Sequence, residues 1–467
     1  MQVSMDAKAV QESESDQPSK NSGNAKDARA KISGKRRPAK CLTPAALAKA
    51  ICNDRHFAMD SGANLFHFHA GAYRPNGDGT IRSLCKRLLV ANKMENHWSS
   101  HLASETVEFI KADAPQLWER PGTDSINVLN GIVRLSDRAL LPHSPEYLSP
   151  IQLPVEFDPA ATCPATEKFV DEVFPDDARH LAWEIAGWLM VPYTGLGKAV
   201  LLLGDGHNGK STWLTQLVAF LGTSNVASLA LHRLESDRFA VARLSGKLAN
   251  ICADLPSKDL EGTSVFKQVT GGDYIQAENK YGHSFSLLPY SRLIFSANHP
   301  PRSPDSSEGF YRRWLTIPFH QTIAKPVEKT SMDAMLAAPA ELSGLLNRAI
   351  SGLASVLARS PASIDKPKSV VEAGEDLRSA TDPTSAWLTQ NVTRGAGSFV
   401  PKSRLLAAMN SWASKRNIPA LTQHAATKAV ERFLGCKPDI KQRTVSGKLE
   451  WCFVGLGLLA DSQHSQV

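Results

Sequence analysis

Between Val200 and Leu221 the chain reads VLLLGDGHNGKSTWLTQLVAFL. Its middle, Gly204, Asp205, Gly206, His207, Asn208, Gly209, Lys210, Ser211 and Thr212, sets a glycine four residues ahead of Gly-Lys-Ser, the spacing of a loop that wraps phosphates. Glycines let backbone N–H groups curl around an anion, and the start of a following helix adds partial positive charge. Lys210 is placed to reach the β and γ phosphates, and the Ser211 hydroxyl to ligate magnesium. The chemistry indicated is binding of a nucleotide through its phosphates together with Mg2+.

Four further residues suit that chemistry. Asp254 follows the apolar run Leu248 to Ala253, where a magnesium-linked carboxylate belongs beside a phosphate loop. Asn298 follows Leu293 to Ala297 and is placed to orient an attacking water; a turn Asn ahead of His299-Pro300 is the structural alternative. Arg312 and Arg313 precede Trp314 to Phe319, and a guanidinium offers a fixed fork of donors for transition-state phosphate charge.

The elements that must hold these residues can be read from the apolar pattern. Val200 to Leu203 is a short continuous apolar run, as a buried parallel strand requires, and Leu214, Leu217, Val218 and Leu221 follow at helical spacing. With the runs ending at Asp254, Asn298 and Phe319, this predicts a parallel α/β sheet covered on both faces. Ligands of such sheets bind at the carboxyl ends of the strands, where the loop, Asp254 and Asn298 all fall.

The whole chain of 467 residues is too long for one core. Its net charge of +7 permits a polyanionic partner without demanding one. The 7 cysteines are scattered singly, which indicates neither a zinc site nor a disulfide framework and suits a reducing cytoplasm. The sequence shows no apolar run of membrane-spanning length, so no membrane association is expected.

Residues 1–40 are polar and end in a basic cluster, Lys31 to Lys40, predicted to be a disordered tail. Residues 41–160 read as an α+β domain: a helix over Ala45 to Ile51, a strand over Asn64 to Tyr73, and two strands around an Asn-Gly turn at Asn130-Gly131. His67 and His69 share a strand face, but zinc wants three or four ligands, so a structural role is expected. A proline-rich connector precedes a helical segment over Thr166 to Met190.

Between Asp254 and Asn298 the pattern describes an inserted hairpin with Lys280 and His283 near its tip, suited to phosphate contact. Leu342 to Leu357 carries a strong helical stripe, read as a lid, and 360–374 reads as a linker. From Asp382 onward the order is helix, helix, helix, hairpin, which suits a winged helix. Lys428 and Arg432 lie off the apolar face of its candidate recognition helix, and Lys441, Arg443 and Lys448 on the wing.

The ordered string GDGHNGKST, the strand ending at Asp254, FKQVTGGD, the hairpin, FSANHPP and EGFYRRWLTIPF resembles the superfamily 3 helicases, in particular the primase-helicases of phages, plasmids and poxvirus-like viruses. That resemblance implies a P-loop AAA+ core over residues 161–360 and a winged-helix unit over 375–460. It further implies a ring, usually a hexamer, that pulls single-stranded DNA in a bacterial host cytoplasm, with a primase or replisome partner. Lys210 and Ser211 would bind ATP and magnesium, Asp254 would be the Walker B acid, Asn298 sensor 1, Arg312 or Arg313 the finger, and Lys280 and His283 channel residues.

Two departures stand out. Asp254 lacks an adjacent acidic partner, so either it serves twice or Asp259 or Glu261 contributes the general base, and residues 41–160 hold no Asp-x-Asp or Asp-x-Glu pair, so no primer synthesis is expected. The rival readings are a DNA-binding initiator whose ATP hydrolysis switches assembly without processive unwinding, and a phosphate-loop kinase acting on a small molecule. The paired arginines, the hairpin and the basic C-terminal unit argue against the kinase.

Overall fold

The computed structural model describes residues 43–256, 260–280, 284–301, 303, 305, 307–321, 329–416 and 419–459. At their centre is a five-stranded, wholly parallel sheet in the order Trp314–Pro318, Ala199–Leu203, Arg292–Ala297, Ala249–Cys252, Val226–Ala227. From Ala199–Leu203 the chain runs to the far edge and returns strand by strand. It pairs Arg292–Ala297 against the starting strand, then crosses it to add Trp314–Pro318 on the other side. Ala199–Leu203 therefore lies at the point where the strand order reverses, the place where open α/β sheets bind ligands.

Alternate residues of these strands feed two cores. Val200, Leu202, Ile294 and Ile317 pack with Trp213, Leu217 and Phe220 of helix Lys210–Leu221 and with helices Pro164–Val173, Leu181–Leu189 and Pro339–Ala358. Ala199, Leu201, Leu293 and Phe295 face the other way, toward Leu231, Leu234, Phe266 and Trp314. Each large apolar side chain buried in this way contributes roughly 1.5–3 kcal/mol before entropy is charged. The 20-residue helix Pro339–Ala358 crosses Leu181–Leu189 almost backbone to backbone. A Cβ on Gly352 would lie 2.3 Å from the Trp183 carbonyl, and one on Gly187 2.2 Å from the Ala349 carbonyl.

Several local expectations are corrected. Thr166 to Met190 is two helices, because Pro175 cannot continue the first and Phe174 before it is extended. Asn64 to Tyr73 is a hairpin, Leu65–His69 against Ala72–Arg74, turned by Ala70 and Gly71 at φ 48° and 83°. The stretch read as a linker becomes helix Lys368–Thr381, which buries Val370, Ala373 and Leu377. The connector after residue 142 is extended but packed: Leu153 N donates to the Asn127 carbonyl, Leu129 N to Val155, and Ile151, Leu153, Val155 and Phe157 enter the first core.

The C-terminal unit has its own core around Trp387, Leu405, Met409, Val430 and Phe453. Helices Pro383–Asn391, Lys402–Ser414 and Gln423–Leu434 surround a three-stranded antiparallel sheet in the order Val392–Pro401, Lys448–Leu458, Ile440–Val445. The Val392–Pro401 strand has no counterpart in the sequence reading; its glycines, Gly395 and Gly397, disguise it. Among the described residues no helix is long and apolar enough to cross a membrane.

Candidate functional site

A cleft of about 910 Å³ opens at the carboxyl ends of the parallel strands. Gly206 to Thr212 form one wall, Ala253 and Asp254 another, and Ser296, Ala297 and Asn298 a third. Helix Pro164–Val173 closes it with Ala165, Lys168, Phe169 and Glu172, and Met332 and Met335 complete an apolar end. Lys210, Asp254 and Asn298, far apart in sequence, thus meet in one cavity because parallel strands in register deliver all their carboxyl ends to the same edge.

The loop is shaped by close approach. A Cβ on Gly204 would fall 2.1 Å from the Phe319 carbonyl oxygen, and one on Gly209 2.7 Å from Val173, where φ is 85°. Gly206, by contrast, has nothing within 4 Å of a would-be Cβ. Helix Lys210–Leu221 starts with no side-chain cap, so its first amides keep their hydrogen-bonding capacity at the cleft wall, an arrangement that fits a phosphate.

Lys210 is 7% exposed, and its ammonium donates to the Gly204 carbonyl at 2.5 Å, the Asp205 carbonyl at 2.7 Å and Asn208 Oδ1 at 2.9 Å. Burial pushes its pKa below the ordinary lysine value, while the Asp205 and Asp254 charges pull it back up. Asn208, 4% exposed, also donates from Nδ2 to the Phe319 carbonyl at 2.6 Å. It therefore ties the loop to the strand beyond it and holds the lysine at the same time.

Asp254 is held by a residue that sequence reasoning missed. Ser296, 1% exposed, donates its hydroxyl to the Ala253 carbonyl, and its own carbonyl accepts from Leu255 N at 2.9 Å. These two bonds bracket Asp254; the signal for them was a serine inside an otherwise apolar strand. Asp254, Ser211 and Asn298 are all exposed toward the cleft. Asp254 and Glu172 are the carboxylates among the cleft-lining residues. Glu261 is exposed and does not line it, and Asp259 lies outside the described residues.

Arg312 and Arg313 are not part of this cavity. They precede Trp314–Pro318 at the amino end of the sheet, where Ala199 N donates to the Arg313 carbonyl at 2.7 Å. The strand from Ala199 to Gly204 separates them from the loop by roughly 16 Å at the usual rise per residue. Arg313 is tethered, donating from Nε to Thr270 Oγ1 at 3.0 Å and from its terminal nitrogen to the Gly309 carbonyl at 2.5 Å, whereas Arg312 is exposed. Lys198 donates to the Arg312 carbonyl. Burial, with Lys366, Arg312 and Arg313 crowding it, pushes the Lys198 pKa down to about 8. The helical turn Glu308–Tyr311 just before these arginines is held from helix Lys368–Thr381, by Arg378 to Glu308 at 3.1 Å and Tyr311 to Thr381 at 2.9 Å.

The inserted hairpin is present as Ile275–Glu278 paired antiparallel with Ser284–Leu287. Lys280 is exposed near its tip, and His283 lies outside the described residues. His67 and His69 sit with ring centroids 6.2 Å apart, and the Thr80 hydroxyl is 3.4 Å from His67 Nδ1. In the C-terminal unit, Arg432 Nε donates to Asp382 at 3.2 Å and Lys428 pairs with Glu431 at 3.1 Å, while Arg443 is exposed on the wing hairpin. Residues 383–459 hold eleven Lys and Arg against three Asp and Glu, a net +8, so the whole chain's +7 resides there.

Residues 47–175 match the family described as D5 N terminal like, and residues 202–313 match DUF5906, a family of unknown function. The fold is similar to that of the NrS-1 C terminal region. One A-form apo structure of it aligns with a TM-score of 0.51 and 12% identity over 88% of this chain and 99% of that one. A second, covering its residues 305–718, aligns with a TM-score of 0.50 and 12% identity over 88% of this chain and 100% of that one.

Proposed function

We propose that the chain is an ATP-driven DNA helicase of superfamily 3 type, a P-loop AAA+ motor with a winged-helix C-terminal unit, that serves replication of a phage, plasmid or related mobile element. The observation that carries this reading is the convergence of Lys210, Asp254 and Asn298 in one cleft beside an uncapped helix start. The match to the D5 N terminal like family supports the coarser assignment to replication proteins of primase-helicase type.

The residues then divide the work. The triphosphate lies along Gly206 to Thr212, and Lys210 gives up loop carbonyls for phosphate oxygens, a stronger acceptor for its charge. Ser211 and Asp254 are the residues that would hold magnesium, whose charge neutralises that of the phosphates. Asn298 orients the attacking water, and Asp254 or Glu172 accepts its proton. Phe169, Met332 and Met335 offer an apolar surface to the base at the far end of the cleft.

The sheet end that carries Arg312 completes a neighbour's site rather than its own. Burial first, and then the neighbouring charges of Lys366, Arg312 and Arg313, disfavour the Lys198 charge, and a phosphate brought by a second copy relieves the repulsive part. Arg312 is the finger, since Arg313 is spent on Thr270 and Gly309. The hairpin bearing Lys280 faces the DNA strand. A DNA-binding initiator that hydrolyses ATP without unwinding is the second reading, favoured by the basic charge concentrated in the C-terminal unit.

Unwinding of a forked duplex with ATP and magnesium, wild type beside Lys210→Ala, tests the proposal. Strand separation by the wild type that is lost in the variant supports the motor. Wild-type hydrolysis on DNA without strand separation overturns it in favour of the initiator.

A further inference from the structure

The helix expected to read DNA is poorly placed to do so. On Gln423–Leu434, Arg432 is drawn to Asp382, which is 6% exposed and also accepts from Ser385 N and Oγ at the start of the next helix. Lys428 is paired with Glu431 on its own helix. Both side chains line a groove whose other wall is Ser307, Glu308 and Arg378, so this helix surface is turned toward the nucleotide-cleft unit.

The hairpin presents the opposite picture. Ile440–Val445 and Lys448–Leu458 turn through Ser446 and Gly447 at φ 49° and 79°. Directly opposed residues share a face, so Leu449 with Thr444 and Trp451 with Gln442 form one surface, and Arg443 with Glu450 and Lys448 with Val445 form the other. Farther along the Trp451 face Phe453 is fully buried, but Trp451 is 55% and Leu449 64% exposed. The core therefore runs out into an uncovered ridge at the tip. Ile440–Val445 is the edge strand, and Arg443 and Lys448, with Lys441 that pairs with Asp439 at 2.8 Å, stand on the opposite face of the same exposed hairpin. An uncovered indole within a unit of net +8 is matched to a partner that combines flat aromatic rings with negative charge.

We propose that this hairpin, rather than helix Gln423–Leu434, is the DNA-contacting element of the C-terminal unit. Trp451 stacks on an unpaired base on one face of the hairpin, and Arg443 and Lys448 on the other face meet phosphates where the strand passes round the hairpin's open edge and tip. The unit consequently prefers single-stranded or frayed DNA to intact duplex, because a paired base has both faces covered. The choice of DNA as partner rests on the proposed function; the choice of the hairpin rests on exposure and charge alone.

The test is binding of the full chain, without nucleotide, to labelled oligothymidine and to a blunt duplex of equal length, read by fluorescence anisotropy. Trp451→Ala should weaken oligothymidine binding between about 5-fold and 150-fold, the range that loss of one stacked base produces, and should leave the salt dependence unchanged. Arg443→Ala should lower the slope of log affinity against log salt by about one. Lys428→Ala should bind as wild type does. Undiminished oligothymidine binding by Trp451→Ala, with binding lost in Lys428→Ala, overturns the proposal in favour of the helix. A change in oligomer size in Trp451→Ala, with DNA affinity intact, also overturns it and makes the ridge a contact between copies. If wild type binds ATP but neither DNA, the DNA reading itself fails.

Discussion

Substituting Asn208 by alanine removes two bonds at once and tests whether the loop is braced from the last strand. The donation to the Phe319 carbonyl at 2.6 Å disappears, and that oxygen, on a fully buried residue, is left without it. An orphaned buried acceptor costs about 1–3 kcal/mol. Lys210 loses one of three acceptors but keeps the Gly204 and Asp205 carbonyls, so this second loss is smaller, about 1 kcal/mol. Together these give about 2–4 kcal/mol, which lowers the melting temperature of the nucleotide-free protein by about 4–16 °C for a domain of this size. Thermal scanning of wild type, Asn208→Ala and Asn208→Asp separates the two bonds. The aspartate retains an acceptor for Lys210 but sets a carboxylate oxygen against the Phe319 carbonyl. It should therefore be destabilised at neutral pH and partly recover in acid, once its protonated oxygen can donate. An alanine variant that melts with the wild type would refute the brace.

Three further outcomes are expected. Ser296→Ala frees the Ala253 carbonyl and loosens the bracket around Asp254; ATP turnover should fall by up to about 100-fold with little change in nucleotide affinity, measured as kcat against KM. Lys198 has a folded pKa of about 8, below its unfolded value, so between those two pH values the unfolded chain holds one more proton than the folded one. Its contribution to stability therefore rises with pH across that window; wild type minus Lys198→Met in denaturant titrations should show that rise, and a flat difference would count against the burial of Lys198 among cations. Gly352→Ala drives a methyl group into the Trp183 carbonyl across the helix crossing and should cost about 1–3 kcal/mol in the same assay.

How far the site can be read from residues alone depends on whether its partners are local. Gly204 to Ser211 is legible because strand, loop and helix are consecutive, and the strand and helix form at Ala199–Leu203 and Lys210–Leu221. Asp254 and Asn298 are legible because each ends an apolar run, and parallel pairing then fixes which edge they share. Asn208's bond to Phe319 and Arg432's to Asp382 span long stretches of chain, and no spacing rule reports them. Helix Lys368–Thr381 escaped because its buried positions, Val370, Ala373 and Leu377, are only three in an otherwise polar stretch that begins with prolines. The two-residue strand Val226–Ala227 is too short to carry any period. Phe169 has the spacing of any apolar helix position, and nothing in that spacing reports the cleft it borders with Met332 and Met335.

The position of Arg312 at the amino end of the sheet, opposite the cleft, has a consequence for counting. If two chains share a site, each contributes one half at either end and the halves are unlike, so a two-fold pair cannot satisfy both. An open row of n chains then carries n − 1 complete sites, and only closure makes the number of sites equal the number of chains. Activity per chain should accordingly climb with concentration and level off at closure. Chains defective in Lys210 and chains defective in Arg312, each inert alone, should regain turnover when mixed, since some junctions then join two intact halves.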